Sequence, residues 1–158
     1  MKDLELKNKS NIDLSASSLW IEFNISGTPE KFKHWAASSK YLEIYVFDLF
    51  IDIFDKNTED YSYYGPTKYK PQQVVLIKND FEKRAQELAK LLTIDDLTEF
   101  FNNTCNESSI SMAILDAVKN NIIEFEQMVL DLKSLVNDLT AFLAKCITEN
   151  RTLWILGI

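Results

Sequence analysis

A chain of 158 residues has room for one domain with a real core, and 46% hydrophobic with 12% aromatic content is too rich for a disordered polymer. Twenty-four carboxylates face seventeen Lys and Arg, a net charge of −7, which argues against a nucleic-acid-binding surface because no basic stripe is available. One histidine, His34, and two isolated cysteines, Cys105 and Cys146, exclude clustered zinc ligands and paired Glu-x-x-His di-iron motifs.

The opening fifteen or so residues are polar and weakly patterned, which reads as a loosely held arm. From Leu19 to Ile25, apolar residues alternate with Trp20, Glu22 and Asn24, the period of a half-buried strand. Gly27-Thr28-Pro29-Glu30 then predicts a helix start, with Thr28 as N-cap and Pro29 at the first helical position. A short helix over Lys31 to Ser39 would follow, with Phe32 and Trp35 on its apolar side. Tyr41 to Phe54 is almost wholly apolar, but Asp48, Asp52 and Asp55 recur at four and three residues, a single helical stripe. That favours a helix, with a buried strand as the alternative. Residues 56–70 read as a loop carrying Tyr61, Tyr63, Tyr64 and Tyr69 around Gly65-Pro66.

Pro71 opens a helix whose apolar face runs Val74, Ile77, Phe81, Ala85, Leu88 and Leu92. Thr93 followed by Asp96 has the spacing of a capping box and starts a short helix to Phe101. From Ile110 to Cys146 apolar residues are never more than four apart. Unbroken, that helix would measure about 55–60 Å, too long for a domain with a radius of gyration of about 15 Å. A break near Asn120-Asn121 is expected, or else pairing of the 110–146 helix with a second copy. Leu153-Trp154-Ile155-Leu156 closes the chain as a strand able to pair with residues 19–25. With only three Gly and three Pro to make tight turns, the predicted class is mainly α. The expected architecture is one helical bundle of about five or six helices, with a small strand pair formed near the two chain ends.

The acid surplus is local. Between Leu91 and Asp131 there are eight acids and one base, Lys119, so this stretch alone accounts for the whole net charge. Asp95-Asp96-x-x-Glu99 and Glu124-x-Glu126 are oxygen-rich enough for a hard cation but lack the glycine turn and ligand order of an EF-hand. Asp95, Asp96 and Glu99 also suit a helix N-terminus, whose dipole favours negative charge. No glycine pair makes a phosphate cradle, and His34 beside Trp35 reads as a packed or surface residue rather than a catalytic base. No metal, no cofactor and no enzymatic activity are expected.

An acid-rich, helical chain without catalytic groups resembles the small bacterial immunity proteins that neutralise a cognate toxin, a likeness of composition over the whole chain and not of any motif. The resemblance implies one-to-one binding of a toxin domain, many of which are nucleases with basic clefts, by plugging the active site or holding a surface beside it. Negative potential would speed association, and aromatic anchors would slow release. The candidate contact residues are the acids Asp95, Asp96, Glu99, Glu124 and Glu126 with the loop tyrosines Tyr61, Tyr63 and Tyr64. A homo-oligomeric scaffold or regulatory protein, self-paired through residues 110–146, is the alternative. The opening residues lack the apolar core of a signal peptide and no apolar run approaches a membrane span of about 20 residues. A cytoplasmic protein is expected, with a protein partner and neither nucleic acid nor membrane.

Overall fold

A computed structural model describes residues 4–13, 19–63, 65–105 and 108–157. Helix accounts for about 54% of the chain, so the fold is mainly α, but its sheet is larger than the expected pair. Four antiparallel strands lie in the order β2-β1-β4-β3: β1 Trp20–Asn24, β2 Lys40–Glu43, β3 Thr67–Tyr69 and β4 Leu153–Gly157. The two chain ends do pair, with Phe23 opposite Ile155 and Asn24 opposite Trp154. β3 falls in the segment read as a loop, and β2 takes residues 41–43 from the segment read as a helix with a strand as its alternative. Each is only three or four residues long, too short to display a period, and each is drawn into the sheet by a longer neighbour. Lys7 forms an isolated bridge to Tyr41 on the outer edge of β2, and Leu4 is buried.

The alternation in β1 divides the sheet into two faces. Ile21, Phe23 and Ile25 enter a core of phenylalanines, where the Phe23 ring meets Phe47, Phe54 and Phe142. Residues 44–55 are helical, as the aspartate stripe implies, though broken: α1 Ile44–Phe47, a 3-10 turn Asp48–Phe50, and α2 Ile51–Asp55. Phe47, Phe50 and Phe54 point inward, Asp48 and Asp52 are half-buried at the edge, and Asp55 is exposed. α3 (Pro71–Leu88) packs side by side with α6 (Phe125–Thr148) beneath the sheet, and α4 (Ile94–Thr104) and α5 (Ser109–Lys119) complete the helical layer.

The long apolar stripe does break where expected. Asn121 adopts a left-handed conformation (φ 53°), and its neighbours close the end of α5 with Ile122 N–H donating to Ala117 O and Asn121 N–H to Val118 O. Asn150 (φ 51°) ends α6 in the same way, with Arg151 N–H on Cys146 O. This is the helix-terminating geometry usually given to glycine, for which asparagine is the next choice. A chain with so few glycines uses asparagine at both ends. Most of the stripe is consumed in the core: Ile114, Val118, Val129, Leu132, Val136, Leu139, Leu143 and Cys146 are buried, while Ile122 beside the break is exposed.

The helix expected over Lys31 to Ser39 does not form. Residues 27–39 are an irregular strap across the outer face of the sheet. Its start is locally as anticipated, with Thr28 Oγ1 accepting from the Glu30 and Lys31 N–H groups. The next groups are taken by the sheet instead of by a helical ladder. Lys33 O accepts from Asn24 Nδ2, and Trp35 N–H donates to Glu22 Oε1 at 3.0 Å. Trp35 is also left-handed (φ 60°), a conformation that costs a bulky residue about 1–3 kcal/mol. Gly27 permits the entry turn: a Cβ there would lie 2.1 Å from Lys31 O. Side chains competing for backbone groups have overridden a helix-start signal.

Candidate partner-binding cleft

The capping box at Thr93 forms reciprocally. Thr93 Oγ1 accepts from Asp96 N–H, while Asp96 Oδ2 accepts from the Leu92 and Thr93 N–H groups, both at 2.9 Å. Those backbone donors hold the Asp96 carboxyl below its ordinary range. Its folded form therefore titrates below its unfolded form. The stabilisation is present above the ordinary carboxylate range and is lost as pH falls through the folded value. Thr93→Ala removes half of the box and should lower stability by about 1 kcal/mol in urea unfolding without altering the slope.

This cap sets α4 across from the end of α3 and opens a cleft of about 540 Å³. One wall carries Arg84, Glu87, Lys90 and Leu91; the other carries Asp96, Glu99 and Phe100, with Asp52 between them. Arg84 is buried, yet it occupies a position on the inward face of α3 between Phe81 and Leu88. Its guanidinium donates to Asp52 Oδ2 at 2.6 Å and to Leu49 O at 3.2 Å, the latter a carbonyl in the 3-10 turn. The Phe100 ring lies 5.6 Å below the guanidinium carbon. Arg84 also stands 3.8 Å from Glu87, so among the described residues the cleft lining sets four carboxylates, Asp52, Glu87, Asp96 and Glu99, against two cations, Arg84 and Lys90.

A second hollow of about 410 Å³ adjoins it, sharing Asp52 and Thr104 and adding Asp48, Tyr63 and Cys105. Tyr63 donates its hydroxyl to Asp48 Oδ1 at 2.6 Å. Burial pushes the Asp48 carboxyl up, and the tyrosine hydrogen bond offsets part of that rise. Burial also raises Tyr61, which is packed against the core near Asp48 and Asp55, to about 12. Burial, with Glu149 nearby, pushes the Cys146 thiol up to about 12, so it is inert at neutral pH. Cys105 is raised by burial as well, and both cysteines are free thiols.

The contact residues proposed from sequence are thus divided. Asp96 and Glu99 share the cleft, and Tyr63 lines the adjoining hollow. Tyr61 is half-buried, and Tyr64 lies outside the described residues. Asp95 is exposed in the first turn of α4; Glu124 and Glu126 are exposed at the start of α6 and are not part of the cleft wall. Sequence reasoning missed Asp52, Arg84, Glu87 and Phe100. Ala85 packs against the core as its spacing implies, but Arg84 beside it is buried as well, which hydrophobicity alone does not signal. The aspartate stripe was the available signal for Asp52.

Sequence reasoning also missed Glu22, which is wholly buried on the outer sheet face. Its Oε1 accepts from Asn24 Nδ2 (2.9 Å), Trp35 N–H (3.0 Å), Ser39 Oγ (2.7 Å) and Tyr41 OH (3.4 Å). His34 Nδ1 stands 3.3 Å from Oε2. Burial, followed by the charge on Glu22, pushes the Tyr41 phenol up to about 12. Among the described residues no three His, Cys, Asp or Glu side chains gather closely enough to hold a metal ion, and no helix is long and apolar enough to cross a membrane. No protein-family model, no curated protein and no solved structure matches this chain.

Proposed function

We propose that this chain is a non-enzymatic acidic binding protein that captures a basic protein domain, and that it acts as an immunity protein neutralising a cognate bacterial toxin. The observation that carries this reading is the cleft between α3 and α4. It has a surplus of carboxylates, an aromatic floor, and a buried arginine whose charge is already matched. Such a cleft favours an incoming Lys or Arg side chain by potential and by the face of Phe100. Among the described residues that line it, no nucleophile is paired with a base, in keeping with a binding role. The scaffold alternative draws on the 110–146 stripe, but most of that stripe is buried in this chain's own core, with Ile122 exposed.

The reading expects a large secreted protein encoded beside this gene and is tested with that protein's C-terminal domain. Co-expression of the chain should restore growth to cells producing that domain. The triple variant Glu87→Gln, Glu99→Gln, both in the cleft wall, and Asp95→Asn, exposed in the adjoining first turn of α4, leaves Asp96 to fasten α4 and should slow association by about tenfold or more at low salt. Its salt dependence should also be shallower. The pair Glu124→Gln, Glu126→Gln, outside the cleft wall, should change both far less. An unaltered salt slope in the triple variant would remove the cleft from the interface, and a failure to restore growth would remove that partner.

A further inference from the structure

The outer face of the sheet holds a construction that partner capture by the cleft does not use. A fully buried carboxylate, Glu22, sits under a strap with no regular secondary structure. Three of the groups that satisfy it belong to that strap: His34 Nδ1, Trp35 N–H and Ser39 Oγ. The remaining two, Asn24 and Tyr41, belong to the sheet. The strap runs beside the sheet without joining its ladder. Its own backbone pairs are Thr28 with Lys31 and Ser39 with Ala36. Its other hydrogen-bond ties among the described residues run through side chains: Asn24 Nδ2 and Ser26 Oγ to Lys33 O, Lys33 N–H to Ser26 Oγ, Trp154 Nε1 to Thr28 O, Lys68 Nζ to Pro29 O, and Lys9 Nζ to Trp35 O.

We propose that residues 27–39 form a strap that opens as a unit, latched by Glu22, while the helical layer stays folded. Segments with few backbone ties and exposed connections open at lower free energy than the core that supports them. Trp35 adds a stored bias, because its left-handed backbone persists only while Glu22 holds its N–H and its ring stacks on Tyr41 at 5.5 Å between centroids. Opening gives Glu22 water in place of three strap donors, so the carboxylate is not stranded in a dry site. It also uncovers Tyr41 and Trp154, the latter now roofed by the Phe32 ring at 4.8 Å. The latch therefore gates a charged, aromatic face separate from the acidic cleft.

Amide hydrogen exchange on the full chain tests this. The Trp35 and Ser39 amides of the wild type should exchange at least about a hundredfold faster than buried amides of α6. In the double variant His34→Ala, Ser39→Ala, which removes two latch donors and leaves Glu22 in place, strap exchange should rise by a further factor of about ten with α6 unchanged. Lys68→Met cuts a tie that does not run through Glu22 and should alter strap exchange less than about twofold. Strap amides exchanging at the α6 rate in the wild type would overturn the proposal, and that measurement needs no variant. So would a double variant that speeds strap and α6 together, or a Lys68→Met effect as large as that of the double variant.

Discussion

Phe54→Ala is expected to destabilise the protein by about 4 kcal/mol, the range for deleting a buried aromatic ring whose surroundings cannot collapse. The ring is wholly buried and meets four others: Phe47 at 5.1 Å, Phe23 and Phe81 at 5.8 Å, and Tyr69 at 5.9 Å between centroids. Those partners come from α1, β1, α3 and β3, so no one element can move to fill the void without pulling on the rest. The backbone is committed as well, since the Tyr69 hydroxyl donates to Phe54 O at 2.9 Å. Phe54→Leu keeps most of the volume and should cost well under half as much. Urea unfolding decides the matter. A loss below about 1.5 kcal/mol for alanine would mean that the site relaxes, and that the sheet and helices are less tightly joined through Phe54 than its contacts imply.

Arg84→Ala should cost about 3 kcal/mol, the lower end for breaking a buried ion pair, because Asp52 keeps 37% of its side chain exposed and recovers some hydration. Four things are lost together: the donor to Leu49 O in the 3-10 turn, the partner of Asp52, the longer pair with Glu87, and the cation over Phe100. Leu49 O and Asp52 lie on the segment that bears the inward phenylalanines, so the effect should reach beyond the cleft. A double-mutant cycle with Asp52→Ala separates packing from pairing. Coupling of about 1 kcal/mol or more is expected for groups in direct contact. A coupling near zero would show that Arg84 stabilises the fold through its hydrocarbon stem alone.

Legibility in the sequence tracked the length of each element. The Pro71 helix, the capping box, the break at Asn120-Asn121 and the pairing of the chain ends all rest on local signals repeated over several residues or on an unambiguous cap. β2 and β3 have too few residues to repeat anything. The strap carried a helix-start signature at Thr28-Pro29-Glu30, but Glu22, from the preceding strand, competed for the same backbone groups and won. The cleft was half legible: Asp96 and Glu99 stood out as charges, whereas Arg84 was hidden on an apolar helix face and Phe100 in an ordinary apolar pair.

Local chemistry decided where α3 and α4 start and where α5 and α6 stop, because Pro71, the Thr93 cap, the left-handed asparagines and a periodic apolar face act within a few residues of one another. It also decided the sign and position of the excess charge. Which carboxylates meet, and which stay in water, was settled only when α4 came to rest against α3 and the strap lay down on β1. Those contacts join residues far apart in the chain. The burial and pairing that give Glu22, Asp52 and Arg84 their roles are properties of the assembled layers and of no single segment.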